Sequence, residues 1–452
     1  MFTTLLLTTS LAAGQPPAPP PIAYAPRPAV YAPAGQPPAA LPMVQVPNGG
    51  LPMTQPPPPT TGGVGNSSTL NAANPAVTEY IKDEKEEPPA ATKYLFERTI
   101  AETRLGEILE QRNIKIYGWT EQSYNASSAA HNNAPVFMYD QANKYQLNQN
   151  WLHVERTIDT TKDEFQWGWN MDWILPGTDA RTTVVRGLWY NQIRNGYAYP
   201  IDPFQFYAQA FLPGLGGKGT SVKIGRFATH MEYELVQAPD TPFISRSYLF
   251  QYNPFTHTGI WAVTQLNDTW SVGNGAATGN DTFIDGPTNR LTYLGQLKWA
   301  PKEGKTQVLF NTTVTNPTYA QSSNFNFYNV YNIQVIHKFT DKLTYVLDTA
   351  YSHENNIPNV GFANWYGAVN YLMYNHTDKL TSTLRAEVFD DQQGVRTGFR
   401  GLYTEVTYGV AYKPLPGVII RPSVRYDNNA NSAPWEGKQN LFSTAIDLIL
   451  RW

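Results

Sequence analysis

The sequence predicts an all-β fold, a transmembrane antiparallel up-and-down β-barrel of about 16 strands. Three observations predict it. From Ile114 to Trp452, apolar and polar residues alternate with period two in segments about ten residues long, the length of a tilted membrane-crossing strand. The connections between segments alternate long and short, so one rim carries tight turns and the other long loops. Aromatic residues gather at segment ends, as interfacial girdles require. Tyr and Trp favour strands anywhere, but that preference alone does not sort loops by length.

Composition agrees. Charged residues make up 15% of the 452-residue chain and aromatics 13%, with a mean hydropathy of −0.40. An ordinary soluble domain carries about 25% charge. Here the polarity comes from Asn, Gln, Thr, Ser and Tyr. No run approaches the ~18 apolar residues of a membrane-crossing helix. A net charge of −3 argues against a nucleic-acid partner, and with no cysteine the chain has neither disulfides nor thiolate metal sites.

In chain order, residues 1–14 read as a signal peptide. Leu5, Leu6 and Leu7 give an apolar stretch, and small residues follow at Ala12-Ala13-Gly14, although no Lys or Arg precedes them. Residues 15–92 hold 20 of the 36 prolines, including Pro56 to Pro59. Such a segment cannot bury enough apolar area to fold and favours extended polyproline II. It reads as a disordered periplasmic spacer, or more sharply as a tether to the cell wall. In residues 93–111, Leu95, Ile100, Leu105, Ile108 and Leu109 recur near helical spacing, which predicts one amphipathic helix. It could lie in the periplasm, plug the barrel or pair with a second copy.

Residues 112–452 form the barrel. Sixteen segments are expected near 114–124, 146–156, 165–175, 202–212, 220–228, 257–266, 269–277, 290–300, 306–315, 328–339, 342–353, 364–375, 379–389, 402–413, 417–427 and 441–452. The last is the clearest. Phe442, Thr444, Ile446, Leu448, Leu450 and Trp452 share one face, and Ser443, Ala445, Asp447 and Arg451 share the other. Expected long loops span 125–145, 176–201, 229–256, 278–289, 316–327, 354–363, 390–401 and 428–440. The aromatic ends include Trp270, Trp299, Phe339, Tyr351, Trp365, Tyr374, Tyr412 and Tyr426.

A barrel this wide has an aqueous lumen with polar walls. Strand parity turns Lys298, Lys338, Arg385, Glu387, Glu405, Arg421, Arg425, Asp447 and Arg451 inward. Six are basic and three acidic, so a mild anion preference is expected if they dominate the narrowest point. The long loop 229–256 contains most of FISRSYLFQYNPFTHTG (243–259), too apolar for a free loop and too broken for a strand, with His257-Thr258-Gly259 leading into the next strand. Irregular backbone at membrane depth is tolerated only when buried in protein or lining a cavity. The expectation is that this loop folds inward. Phe243, Tyr248, Phe250, Tyr252 and Phe255 would pack on the wall and Arg246 would face the channel, with Asp179 and Arg181 of the preceding long loop as partners.

Catalytic signals are weak. The seven histidines show no paired metal spacing, and no cofactor is expected. GLGGKG (214–219) lacks the full phosphate-loop spacing and reads as a tight turn. Asp240 with His230, and His257 with Ser245 or Ser247, are candidate groups for a barrel hydrolase, but their spacing does not favour it.

Three stretches carry a resemblance: IKIYGWTEQSYNAS (114–127), LPGTDAR (175–181), and VKIGRF (222–227) running on through YELVQAPDTPFISRSYLFQYNPFTHTGIWA (233–262). They resemble the Putative beta-barrel porin-2 family, the OmpL-like outer-membrane porins, over about residues 110–452. The resemblance implies a barrel in the outer membrane of a Gram-negative-type bacterium, in contact with outer-membrane lipid, through which small hydrophilic solutes or ions diffuse. It brings no established substrate, and the Pro-rich arm lies outside it. Two alternatives stay open: a structural envelope protein whose arm 15–92 links outer membrane to cell wall, and a barrel-embedded hydrolase. Sixteen-stranded porins as a class often form homotrimers, but nothing in these loops selects that state.

Overall fold

The computed structural model describes residues 94–284, 291–302, 304–315, 328–357 and 359–452. The expected signal peptide and Pro-rich arm lie outside the described residues. The strands are β1 (Ile114–Ser127), β2 (Tyr145–Arg156), β3 (Gln166–Leu175), β4 (Asp202–Leu212), β5 (Thr220–Ala228), β6 (Thr256–Gln265), β7 (Trp270–Ala277) and β8 (Thr292–Trp299). They continue with β9 (Thr306–Thr315), β10 (Asn329–Lys338), β11 (Leu343–Ile357), β12 (Gly361–Thr377), β13 (Leu380–Asp391), β14 (Gly401–Tyr412), β15 (Val418–Asn429) and β16 (Asn440–Arg451). Each pairs antiparallel with its neighbours in sequence. β1 pairs with β16, from Trp119↔Arg451 to Ser127↔Ser443, and the sheet closes. Closure leaves no edge strand, the condition that hydrocarbon imposes on backbone groups.

The period-two pattern sorts residues as expected. On β13 to β15, Leu384, Val388, Val406, Tyr408, Val424 and Tyr426 are exposed on the outer face. Between them Arg385, Glu387, Glu405, Thr407 and Arg425 are buried on the inner face. Two expectations need correcting. The sixth of the expected long connections, 354–363, is a tight one, because β11 runs on to Ile357 and β12 begins at Gly361. Its strands lengthen to 15 and 17 residues, and Gly361 supplies the positive φ of the turn. Trp365 is not a girdle residue. It is buried on the lumen side, edge-on to Tyr328, and Tyr366 takes the outward position beside it.

The single helix expected over 93–111 is two: α1 (Leu95–Ile100) and α2 (Arg104–Gln111). Thr103 breaks the run. Its amide donates to the Ile100 carbonyl, and its hydroxyl accepts from the Gly106 amide as the N-cap of α2. A Cβ on Gly106 would stand 2.1 Å from the Ile100 oxygen, so this fold-back needs glycine there. The pair sits at the short-turn rim beside the barrel's seam. Phe96 meets Trp452 edge-on, and the Arg451 guanidinium lies 4.2 Å above the Tyr94 ring.

Inside the barrel, two large apolar clusters join strand and loop residues. One joins Tyr248, Leu249 and Tyr252 to Trp365, Phe389, Tyr403, Val136, Tyr139 and Trp435. The other joins Val236, Phe250 and Phe255 to Tyr117, Trp119, Trp151, Phe204, Ile419 and Ile449. Inward aromatics on strands, with those on the loops between β1–β2, β5–β6 and β15–β16, make a core where an empty tube would have none.

Candidate pore constriction

The loop between β5 and β6, residues 229–255 and here termed L3, is responsible for most of this filling. From Arg226 to Thr258 every residue except Pro239 and Pro242 is buried. Its path can be followed by its hydrogen bonds. The His230 ring lies 3.1 and 3.2 Å from the carbonyls of Gly295 on β8 and Thr312 on β9. The Tyr233 amide donates to Asp348 on β11, and Glu234 pairs with Arg385 on β13 at 2.5 Å. The chain then crosses to the opposite wall. There Gln149 on β2 donates to the Val236 carbonyl and accepts from the Ala238 amide, and Arg421 on β15 donates to the carbonyls of Ala238 and Thr241. It returns to β13, where Glu387 accepts from the amides of Tyr248 and Leu249. L3 therefore spans the lumen from wall to wall.

The segment that looked structureless contains a helix, α3 (Tyr248–Tyr252), which sequence reasoning missed. Ser247 caps it, accepting from the Phe250 amide at 3.1 Å. The Ser at 247, followed by residues with no β-branch, was the available signal. Tyr248 donates its hydroxyl to Asp427 on β15, and Tyr252 donates to the Pro135 carbonyl. Asn253 ends the helix, accepting from Ser352 and donating to Glu232. Tyr248, Phe250 and Tyr252 thus pack inward, as expected.

Arg246 does not face the channel. It is fully buried, and its guanidinium donates to four backbone carbonyls of its own loop: Phe243, Ile244, Leu235 and Val236. A buried loop has carbonyls to satisfy, and five fixed donors in a plane satisfy several at once. Burial pushes the Arg246 guanidinium down, while Glu121, Glu234 and Asp179 hold it up. Of its two expected partners, Asp179 acts on Arg246 through its charge, and Arg181 is placed elsewhere. Arg181 pairs with Asp140 of the loop between β1 and β2 at 2.6 Å. Asp179 accepts from Gln149 at 2.7 Å, and burial raises its carboxyl to about 6.

Most of the nine inward charges are bracketed. Arg385 binds Glu405 as well as Glu234, Arg421 binds Glu121 and Asp447, and Arg425 binds Asp427. Glu387 is held by the two α3 amides. The basic surplus read from nine residues therefore disappears, because Glu121, Glu234 and Asp427 were left out of it. Strand parity already puts Glu121 and Asp427 on the inner face; only Glu234 needed the fold of L3. Lys298 is buried on β8, Lys338 is half-buried near the end of β10, and Arg451 lies at the rim beneath Tyr94.

Of the candidate hydrolase groups, His257, Ser245, Ser247 and His230 are committed elsewhere. Thr229 contacts the His257 ring at 2.5 Å, Ser245 accepts from Arg385, and Ser247 caps α3. His230 stacks on Trp261 at 4.5 Å between its two carbonyls. One further anchor went unpredicted. Arg226, in the quoted VKIGRF, pairs with Asp202 at 2.6 Å and donates to the Thr183 carbonyl, tying β5 to the loop between β3 and β4.

This architecture occurs in solved outer-membrane porins. The anion-selective porin from Comamonas acidovorans aligns with a TM-score of 0.51 at 10% identity, covering 75% of this chain and 99% of its own. The high-pH structure of Pseudomonas putida OprB aligns with a TM-score of 0.50 at 11% identity, covering 78% and 97%. At such identity the likeness speaks to fold alone. No curated protein matches the chain. Residues 113–451, the whole closed sheet and every long loop within it, fit one sequence family, and the chain belongs to it: Putative beta-barrel porin-2, OmpL-like.

Proposed function

We propose that this outer-membrane porin passes small hydrophilic solutes by diffusion through a lumen whose free width L3 sets. One observation carries this reading: L3 is buried across the lumen and hydrogen-bonded to strands on opposite walls, β8 to β13 on one side and β2 and β15 on the other. A loop that capped the barrel from outside would leave one face wet. With the Arg and carboxylate brackets internally paired, selection by size outweighs selection by net charge. Tyr94 and Phe96 hold α1 at the seam, whereas L3 bridges the lumen walls, so the narrowing is assigned to L3. Replacing residues 243–255 by a short Gly-Ser linker should raise single-channel conductance in planar bilayers several-fold, with the barrel still shifting its gel mobility on boiling. Unchanged conductance in a folded barrel would reduce L3 to an outer cap.

A further inference from the structure

The outer face of β3 to β5 is not evenly covered. Trp169 on β3, Ala208 on β4 and Ile224 on β5 stand in register, so a small side chain lies between two large ones. Met171 and Phe206 form the next row towards the long loops. Strand parity turns these side chains outward, because Asn170, Tyr207 and Lys223 beside them are buried on the inner face. Gly225 keeps the trough open at β5, where a Cβ would stand 2.3 Å from the Phe206 carbonyl oxygen. The result is an open groove of about 450 Å³ with an almost wholly apolar lining, and Met171, Ala208 and Ile224 are exposed in it.

Two long loops fold down over the same wall. Trp189 of the loop between β3 and β4 packs on Trp173, two residues beyond Met171, at 5.7 Å. Phe283 of the loop between β7 and β8 packs on Phe206 at 5.5 Å. The Phe283 amide donates to the Arg186 carbonyl at 2.8 Å, which fastens the two loops to each other. Between residues 182 and 200 the sequence carries two charges, both basic: Arg186 and Arg194. Arg194 is exposed, with its guanidinium 5.6 Å from the centre of the Tyr190 ring, and Trp189, Tyr197 and Tyr199 are exposed on the same loop. Phe206 and Ala208 lie four and six residues from Asp202, the long-loop end of β4. At ~3.3 Å per residue and a tilt of ~45°, that is roughly 9–14 Å below the rim. The hydrocarbon of one leaflet is about 15 Å deep, so the groove lies at acyl-chain depth. Exposed Tyr and Trp belong at headgroup level, and a guanidinium grips phosphate oxygens in pairs. A concave apolar cleft of this volume has the size of a single-ligand site. A second copy set two-fold against this face would bring like charges together. We infer that this outer wall is a docking site for one anionic phospholipid of the leaflet nearest the long loops, with an acyl chain in the groove and the phosphate at Arg194.

The groove lies outside the lumen, so the inference stands apart from the porin reading. Full-length protein, folded as judged by the boiling shift, is mixed in detergent with dipalmitoyl phosphatidylglycerol or dipalmitoyl phosphatidylcholine. The lipid that stays bound is counted by native mass spectrometry. One phosphatidylglycerol should remain per barrel, with about tenfold preference over phosphatidylcholine, the gain expected for one charge-assisted hydrogen bond. Ala208→Trp, which fills the groove from its floor, should cut retention of both lipids about tenfold. Arg194→Gln should remove the preference and leave phosphatidylcholine retention within about twofold. Ala208→Leu provides a milder filling should Trp impair folding. No retained lipid on the wild type, undiminished retention in folded Ala208 variants, or a preference unchanged in Arg194→Gln would overturn the site. So would a dimer or trimer that Ala208→Trp dissociates, since the groove would then belong to a contact between copies.

Discussion

Arg385 holds several partners at once, among them Glu234 of L3, Glu405 of β14, and the Ser245 carbonyl at 2.9 Å. All are buried, so removing the guanidinium strands two carboxylates in a dry site. Breaking a buried pair costs about 3–5 kcal/mol. Arg385→Met should therefore loosen L3, lower the temperature at which the barrel loses its unboiled mobility, and raise conductance; a thermal transition and conductance both unchanged would show the bracket idle. Asp281, on the loop between β7 and β8, accepts from the amides of Phe255 and Thr256 at 2.9 and 2.8 Å where L3 rejoins the wall. Burial raises its carboxyl to about 8. A raised acid binds its proton more tightly when folded. Its contribution is complete below the ordinary aspartate value of about 4 and is lost as pH rises through 8. Conductance should rise between pH 7 and 9, and Asp281→Asn should weaken that rise. Below about pH 6.5 the sign turns mixed, because burial lowers His230 to about 4 and its charging then opposes docking.

At the scale of elements, the strands were legible and the inward loop only in part. Period two with lipid on one side leaves little freedom, because a slip of one residue would put Arg385 or Arg425 in hydrocarbon. L3 was legible in placement, since its aromatics could not be left in water. The detail of Arg246 was not, because its acceptors are backbone carbonyls, which carry no mark in the side-chain sequence. The helix break at 101–103 was hidden for a related reason: apolar spacing continues across it, while Thr103 and Gly106 set the turn. Gly106→Val should open the α1–α2 hairpin without touching the barrel. Protease cleavage between residues 100 and 104 should increase while the boiling shift stays intact. Resistance equal to wild type would mean that the rim contacts of Tyr94 and Phe96 suffice.

The whole molecule closes at one seam. A Cβ on Gly118 would stand 2.2 Å from the Trp151 carbonyl oxygen and 2.5 Å from the Trp452 ring, between β2 and the end of β16. Gly118→Leu should force these apart, and the variant should run at its boiled mobility without heating; a normal shift would show that the seam can absorb the bulk. Closure was predictable from an even number of strands with sorted loops, but which residues meet there depends on register, which periodicity alone leaves open. L3 joins the fifth and sixth of the sixteen strands, yet its anchors at Asp348, Arg385, Glu387, Arg421 and Asp427 come from β11 to β15. A barrel growing strand by strand thus carries L3 unsheltered until the later strands arrive. Its resistance to protease in pulse-labelled cells would serve as a clock, marking the moment at which assembly is complete.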